Sequence, residues 1–339
     1  MDTPTHGLIG RLASRAIWRK GDGRGLANVA TVAGLVPDLD VFLPGDALTR
    51  LETHRGISHS LLGAAVGAAA LAWVAQRAGL RSVTFPRVYA ASLLGWMLHI
   101  LFDVFTSYGT MIFKPFSDYR ATTDTLFIID PYLTLVAIAG LLVGWRWRER
   151  RWAGYRIGLA VTIFYVGFNG MVTGVSLYRM ADWAGRQGIE IDRMAALPVP
   201  FSPMYRRGVV ESRGRVYDMP VSLLGRQEGL LVEHRSAQSD DRLARLWSTR
   251  EGRIYRWFAR FPVLVDAGEG GDERVVMQDV RFAMRAEGLG WLGTLAAQTA
   301  LDHNPDFFKR RIFTLAVDLD ESGEPERVRY NGGAIDRSN

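Results

Sequence analysis

Val88-Tyr-Ala-Ala-Ser-Leu-Leu-Gly-Trp-Met-Leu-His99-Ile-Leu-Phe-Asp103-Val-Phe105 decides the architecture of this chain: it is apolar nearly throughout, yet carries a histidine and an aspartate one helical turn apart. A helix rises 1.5 Å per residue, so roughly 20 such residues cross a hydrocarbon core of about 30 Å. Three more runs share this character, at 60–78, 126–145 and 157–178. Successive apolar runs of this length are unusual in soluble cores, and together they predict an α-helical integral membrane domain with four spans. In the first run, Gly63-Ala-Ala-Val-Gly67 presents small residues four apart, a face that lets helices approach closely in lipid.

Upstream, Thr3 and Pro4 read as a helix cap and a proline at N1, opening a helix over 4–20. The breaker Gly21-Asp-Gly-Arg-Gly25 ends it, and a second apolar arm, 26–36, stops at Pro37. The pair predicts an N-terminal helical hairpin with Arg19, Lys20 and Arg24 at its tip. Arg11 and Arg15 along one face keep a surface-lying amphipathic helix as the competing picture.

The chain has 339 residues, enough for about two domains. Its character changes near 180–200, where charged residues begin to recur every few positions. This predicts a membrane domain over 1–185 and a smaller α+β soluble domain over 190–339. In the latter, β-branched and aromatic residues at 209–223, 253–267, 273–285, 307–319 and 324–330 predict strands, and 240–249 predicts a helix. His234 and His303 lack ligand spacing and read as surface or capping residues.

Lys+Arg 41 against Asp+Glu 35 gives a net charge of +6, which could suggest nucleic acid. The arginines sit instead in short connectors between apolar runs: Arg77, Arg81 and Arg87 after the first, and Arg146, Arg148, Arg150, Arg151 and Arg156 after the third. Short cytoplasmic loops are rich in Lys and Arg, so these connectors face inward, the C-terminal domain is extracytoplasmic, and no nucleic-acid partner is expected. Cysteine is absent, so any metal must be held by His, Asp or Glu.

Four of the six histidines, His6, His54, His59 and His99, fall in the first hundred residues. His99 and Asp103, at i and i+4, project from one helix face, and an ionisable pair inside a membrane marks function by default. Pro37-Asp38-Leu-Asp40 places two carboxylates after a helix stop; if the segment is extended, alternation aims both the same way. His54-Arg55-Gly56-Ile-Ser58-His59 sets two imidazoles around a glycine that lets both rings turn inward, with Ser58 or Ser60 available as a helix cap. Counting from Val88, His99 lies about 16 Å and Asp103 about 22 Å along the second span, while Asp130 of the third lies about 6 Å below the outer boundary. The connector charges thus bring His6, Asp38, Asp40, His54, His59, His99 and Asp103 to one side as candidate ligands for one or two divalent ions, Zn or Mn foremost.

These stretches resemble the YdjM-like inner-membrane proteins described as metal-dependent hydrolases. The resemblance is carried by Thr5-His6, Leu35-Val-Pro37-Asp38-Leu-Asp40, His54-Arg55-Gly56-Ile57-Ser58-His59-Ser60 and His99-Ile-Leu-Phe-Asp103-Val-Phe-Thr106-Ser107-Tyr-Gly109. It covers residues 1 to about 145. At Ser58 the family pattern often has threonine, which keeps the hydroxyl. The resemblance implies a bacterial inner-membrane protein with a hydrolase-like metal centre.

The expected activity is hydrolysis of a phosphoester or lipid-linked substrate at the outer interface, with Asp40 or Asp130 as proton acceptor and Arg55 neutralising an anionic group. The alternative is a non-catalytic metal-binding or metal-transporting membrane protein.

Overall fold

A computed structural model describes residues 1–18, 23–147, 149–223, 231–266, 274–283, 313–320, 323–331 and 333–334. His303 and the first part of the strand expected at 307–319 lie outside the described residues. The rest forms a helical N-terminal region followed by a strand-rich C-terminal region. The chain divides into two compact units, Met1–Leu43 with Thr53–Gly170, and Pro44–Glu52 with Met171–Asn339.

The first unit opens with helices α1 (Thr3–Ile17) and α2 (Gly23–Ala33), the two arms of the expected hairpin. The cap of α1 lies one residue earlier than expected: Asp2, not Thr3, accepts from the Thr5 amide. A 3₁₀ turn over Val36–Phe42 follows, then α3 (Ala47–Thr53), which belongs to the second unit up to Glu52, a second 3₁₀ turn at Ile57–His59, α4 (Leu61–Arg77), α5 (Phe85–Val104), α6 (Pro131–Arg146) and α7 (Arg151–Arg186), which passes into the second unit at Met171. Ser60 is the side chain that caps α4, accepting from the Gly63 amide, and Asp130 caps α6 ahead of Pro131.

By length and composition, Gly23–Phe42, Phe85–Val104 and Arg151–Arg186 are long and apolar enough to cross a membrane, and the bent pair Ala47–His59 with Leu61–Arg77 would make a fourth. The count resembles the expected one, but the segments differ. The run at 126–145 yields only the shorter Pro131–Arg146, because residues before it hydrogen-bond as extended chain: Thr123 and Thr125 amides donate to the carbonyls of Val104 and Phe105. The arm at 26–36, continued by its 3₁₀ turn, is itself long enough.

α1, α2 and α5 meet where side chains vanish. A Cβ on Gly10 would lie 2.5 Å from the Ala30 carbonyl oxygen, and one on Gly95 would overlap the same atom. Gly67 admits the Trp96 ring between α4 and α5, whereas Gly63 serves the turn that starts α4, facing the Ile57 carbonyl. The expected small-residue face is therefore divided between a helix contact and a cap.

In the second unit the C-terminal part of α7 packs Met180, with Leu177 and Trp183, on one face of an antiparallel sheet. This sheet holds β1 (Arg193–Pro198), β2 (Tyr205–Ser212), β3 (Arg215–Ser222) and β4 (Val232–Arg235) in sequential order. Its other face, through Ala195, Leu197, Val209 and Val216, meets Phe261, Val263 and Val280. These lead into a second antiparallel sheet of β5 (Pro262–Asp266), β6 (Arg274–Asp279), β7 (Thr314–Leu319), β8 (Pro325–Tyr330) and β9 (Gly333–Ala334).

Three expectations change here, the first being that the run 253–267 is helical up to Phe258 and becomes a strand only at Pro262–Asp266. The run 209–223 is a hairpin rather than one strand, turning at Arg213 and Gly214, both at positive φ. The helix expected at 240–249 begins instead at α8 (Arg250–Phe258), capped by Thr249. Short 3₁₀ turns fill 241–248, because the Asp240 carboxylate accepts from the Arg242 amide and bends the chain locally.

Candidate metal centre

Five segments of the first unit converge on one buried cluster. Pro37 at the start of a 3₁₀ turn cannot continue α2, so the chain turns and sends Asp38 and Asp40 inward while Leu39, Val41 and Phe42 stay exposed. The expectation of extended alternation is thus replaced by a tight helical turn, which still delivers both carboxylates. The segment 54–59 is held from α5, where the Trp96 indole N–H donates to the Ser58 carbonyl at 2.8 Å. His99 and Asp103 lie on the last turns of α5, fully buried.

Four residues form a group: Asp38, His59, His99 and Asp103 each offer one ligand atom, all within 4.8 Å of one another. The imidazoles are oriented from behind. His99 Nδ1 lies 2.8 Å from the Gly34 carbonyl, so it donates there and leaves the Nε2 lone pair facing the cluster. His59 Nδ1 lies 2.9 Å from Ser58 Oγ and 3.2 Å from Asp40 Oδ2, which has the same effect. The two Nε2 atoms then face each other at 2.9 Å.

At that distance the two nitrogens can be bridged by a shared proton or by a metal ion, and the surrounding carboxylates suit either. Asp103 Oδ2 stands 3.3 Å from His59 Nε2 and 3.4 Å from His99 Nε2, and within the protein it is a buried oxygen with no hydrogen bond. Asp38 Oδ1 lies 3.5 Å from both rings, its other oxygen taken by Thr3 Oγ1 at 2.5 Å. Two neutral imidazoles with fixed tautomers and two single carboxylate oxygens make a donor set that fits a divalent ion.

The remaining expected residues stand behind this group or apart from it. His6 stacks on His99, with ring centroids 3.8 Å apart, and its Nε2 lies 3.2 Å from Asp103 Oδ1. That same oxygen contacts Arg55 Nη2 at 2.9 Å and the Met1 amine.

Asp40 accepts from His54 Nδ1 at 2.7 Å, the Arg55 amide at 3.0 Å and Ser58 Oγ at 2.8 Å. His54 is 22% exposed at its side chain, and among these histidines it alone reaches solvent.

Arg55 is 2% exposed and pairs with Asp103 from within the protein. Asp130 is not in the group of four; its carboxylate caps α6 and accepts from the Tyr165 hydroxyl at 2.8 Å. Thr3, Gly34 and Thr106 escape sequence reading, because a backbone carbonyl or a threonine has no signature until its partner is placed. Of the three, Thr106 alone falls within the histidine and aspartate motif at 99–109.

A family model described as YdjM inner membrane protein matches residues 1–175, which contain every residue of this cluster. A Bacillus subtilis (strain 168) protein, named Uncharacterized protein YfhP, is 26% identical over 157 residues, covering 44% of this chain and 40% of its own length. The chain therefore matches less than half of that relative. No solved structure matches the chain.

Proposed function

Since this chain belongs to the YdjM inner membrane protein family, we propose that it is a membrane-embedded, metal-dependent hydrolase acting on a phosphoester or lipid-linked substrate. The observation that carries the reading is the pair of His59 and His99 Nε2 atoms facing each other between Asp38 and Asp103, each ring fixed by an acceptor at its far nitrogen. With both imidazoles neutral, Asp38, Asp40 and Asp103 stand against Arg55 and the Met1 amine, and a bound cation offsets the negative charge that remains.

A divalent ion held there would acidify a coordinated water and polarise an ester oxygen. The chain's own contributions are separate. Asp38 and Asp103 each present one oxygen and keep the other tied to the protein. Asp40 holds His59 and His54 together, and His54, with its access to solvent, is the group placed to exchange a proton.

A second reading, metal binding or transport without catalysis, is favoured by one fact. Four protein donors would close a tetrahedral zinc shell. An ion that takes five or six ligands, such as Mn, keeps room for water and restores the hydrolytic reading.

The test is metal content per chain on detergent-purified protein, followed by release of phosphate or headgroup from lipid phosphoesters. Wild type should carry near-stoichiometric metal and the variants His99→Ala and Asp103→Asn should lose it together with activity. Activity surviving in Asp103→Asn would remove the mechanism. Metal-dependent uptake into proteoliposomes without hydrolysis would favour the second reading.

With the shorter helix Pro131–Arg146 also crossing, the basic connectors at 77–87 and 146–156 both face inward, and the strand-rich region is then extracytoplasmic. As the chain has no cysteine, Ser248→Cys should react with a membrane-impermeant maleimide on intact cells, and Arg150→Cys only after permeabilisation. The reverse pattern would invert the topology.

A further inference from the structure

Arg55 is placed at two costs. Its guanidinium is withdrawn from water, which is expensive for any charge, and its backbone sits at φ 60°, a left-handed conformation that is uncommon for a long side chain. Such strain persists only where the surroundings over-determine it. Here they do. The Arg55 amide donates to Asp40 Oδ2, its carbonyl accepts from Met111, Nη2 pairs with Asp103 Oδ1 at 2.9 Å, and Nη1 donates to Thr106 Oγ1 at 2.8 Å. The Tyr108 ring lies 4.9 Å from the guanidinium carbon. One residue thus joins the carboxylate that orients His59 to the carboxylate that faces both imidazoles.

We propose that Arg55 is a positioning residue that sets the denticity of Asp103. This rests on the reading that Asp38, His59, His99 and Asp103 hold an ion. With Oδ1 held by the guanidinium, together with the Met1 amine and His6 Nε2, Asp103 can offer only Oδ2, the oxygen that has no hydrogen bond in the protein and stands toward the rings. A carboxylate released from that pairing keeps only the Met1 amine and His6 Nε2 at Oδ1, and with its one guanidinium partner gone it can turn toward an ion with both oxygens, occupying a position otherwise open to water or substrate. Lysine is no substitute, because a point ammonium cannot serve Asp103 and Thr106 at once as the planar fork does.

The experiment uses the full chain in detergent, loaded with Co(II) as a spectroscopic probe, with binding measured by titration and coordination number read from the intensity of the visible d–d bands. Wild type should bind one Co(II). Arg55→Gln should bind about 10–100-fold more weakly, as expected when a partner behind a ligand is lost, and its bands should weaken as coordination number rises. Arg55→Lys should recover part of the affinity.

Thr106→Val removes the second anchor of the guanidinium with a near-isosteric side chain; it should shift the spectrum in the same direction by less, and it carries the test if Arg55→Gln does not fold. Wild-type affinity and an unchanged spectrum in Arg55→Gln, or in Thr106→Val where that variant carries the test, would overturn the positioning role and leave the ion site standing. Failure of wild type to bind Co(II) or Mn(II) would instead remove the ion site, and this proposal with it.

Discussion

The two imidazole nitrogens that face each other, His59 Nε2 and His99 Nε2, come from residues 40 positions apart in the chain. Each ring owes its direction to an acceptor: Gly34 for His99, Asp40 and Ser58 for His59. Asp40→Asn is therefore expected to keep the fold but loosen His59, because an amide no longer offers a full negative charge to the Nδ1–H. Metal affinity should fall about 10–100-fold by competition titration, with Asp38→Asn falling further because it removes a ligand atom. Equal affinity in Asp40→Asn and wild type would show that Asp40 does not orient the ring.

Residue types were legible in the sequence: the His and Asp pairs stand out in apolar surroundings. Their division into the group of four and the residues around it was not. His6, His54 and Asp40 look no different from His59, His99 and Asp38 until the distances are known, since that division depends on which nitrogen has an acceptor behind it.

At the scale of elements, the site depends on how closely three helices pass. Gly10 of α1 and Gly95 of α5 both lie against the Ala30 carbonyl of α2, one turn from His6, His99 and Gly34 respectively. Gly95→Ala would push α5 from α2 and draw His99 away from the Gly34 carbonyl. The expected outcome is a loss of roughly 1–3 kcal/mol, as for other overpacked cores, seen as a lower midpoint in detergent melts and as reduced metal content. Ala at Gly167, where a Cβ meets nothing within 4 Å, is the control that should change neither.

Helices α1, α2, α4, α5 and α7 were legible because apolar runs and capping residues announce themselves locally. The segment 240–249 misleads for a local reason as well: Asp240 satisfies the Arg242 amide through its side chain, and the hydrogen-bonded Arg242 guanidinium holds that carboxyl below the usual carboxylate range, so the charged acceptor persists and the helix starts later, at Arg250.

Across the whole molecule, the four candidate ligands all belong to the unit made of Met1–Leu43 and Thr53–Gly170. Between the two ligand-bearing loops, the segment Pro44–Glu52 belongs with the strand-rich unit, where Arg250 pairs with Asp46 and Glu52 and donates to Thr49. A chain truncated at residue 190 should therefore retain stoichiometric metal, measured by mass spectrometry, because no ligand is removed. It should also melt at lower temperature, since Pro44–Glu52 loses its partners. Loss of metal from a truncated chain that still folds would mean that the strand-rich unit is needed to hold the site.

Hydropathy and charge spacing along the chain determined that it is helical and membrane-type at its N-terminus and strand-rich after it, because burial in lipid and topogenic charge act on local composition. They also marked the histidines and aspartates as costly residues with a purpose. Only the tertiary structure decided that four of seven candidates share one point, that Arg55 pairs with Asp103 inside the protein, and that Asp130 caps a helix. Coordination depends on where atoms from distant segments meet, and local composition carries no record of those distances.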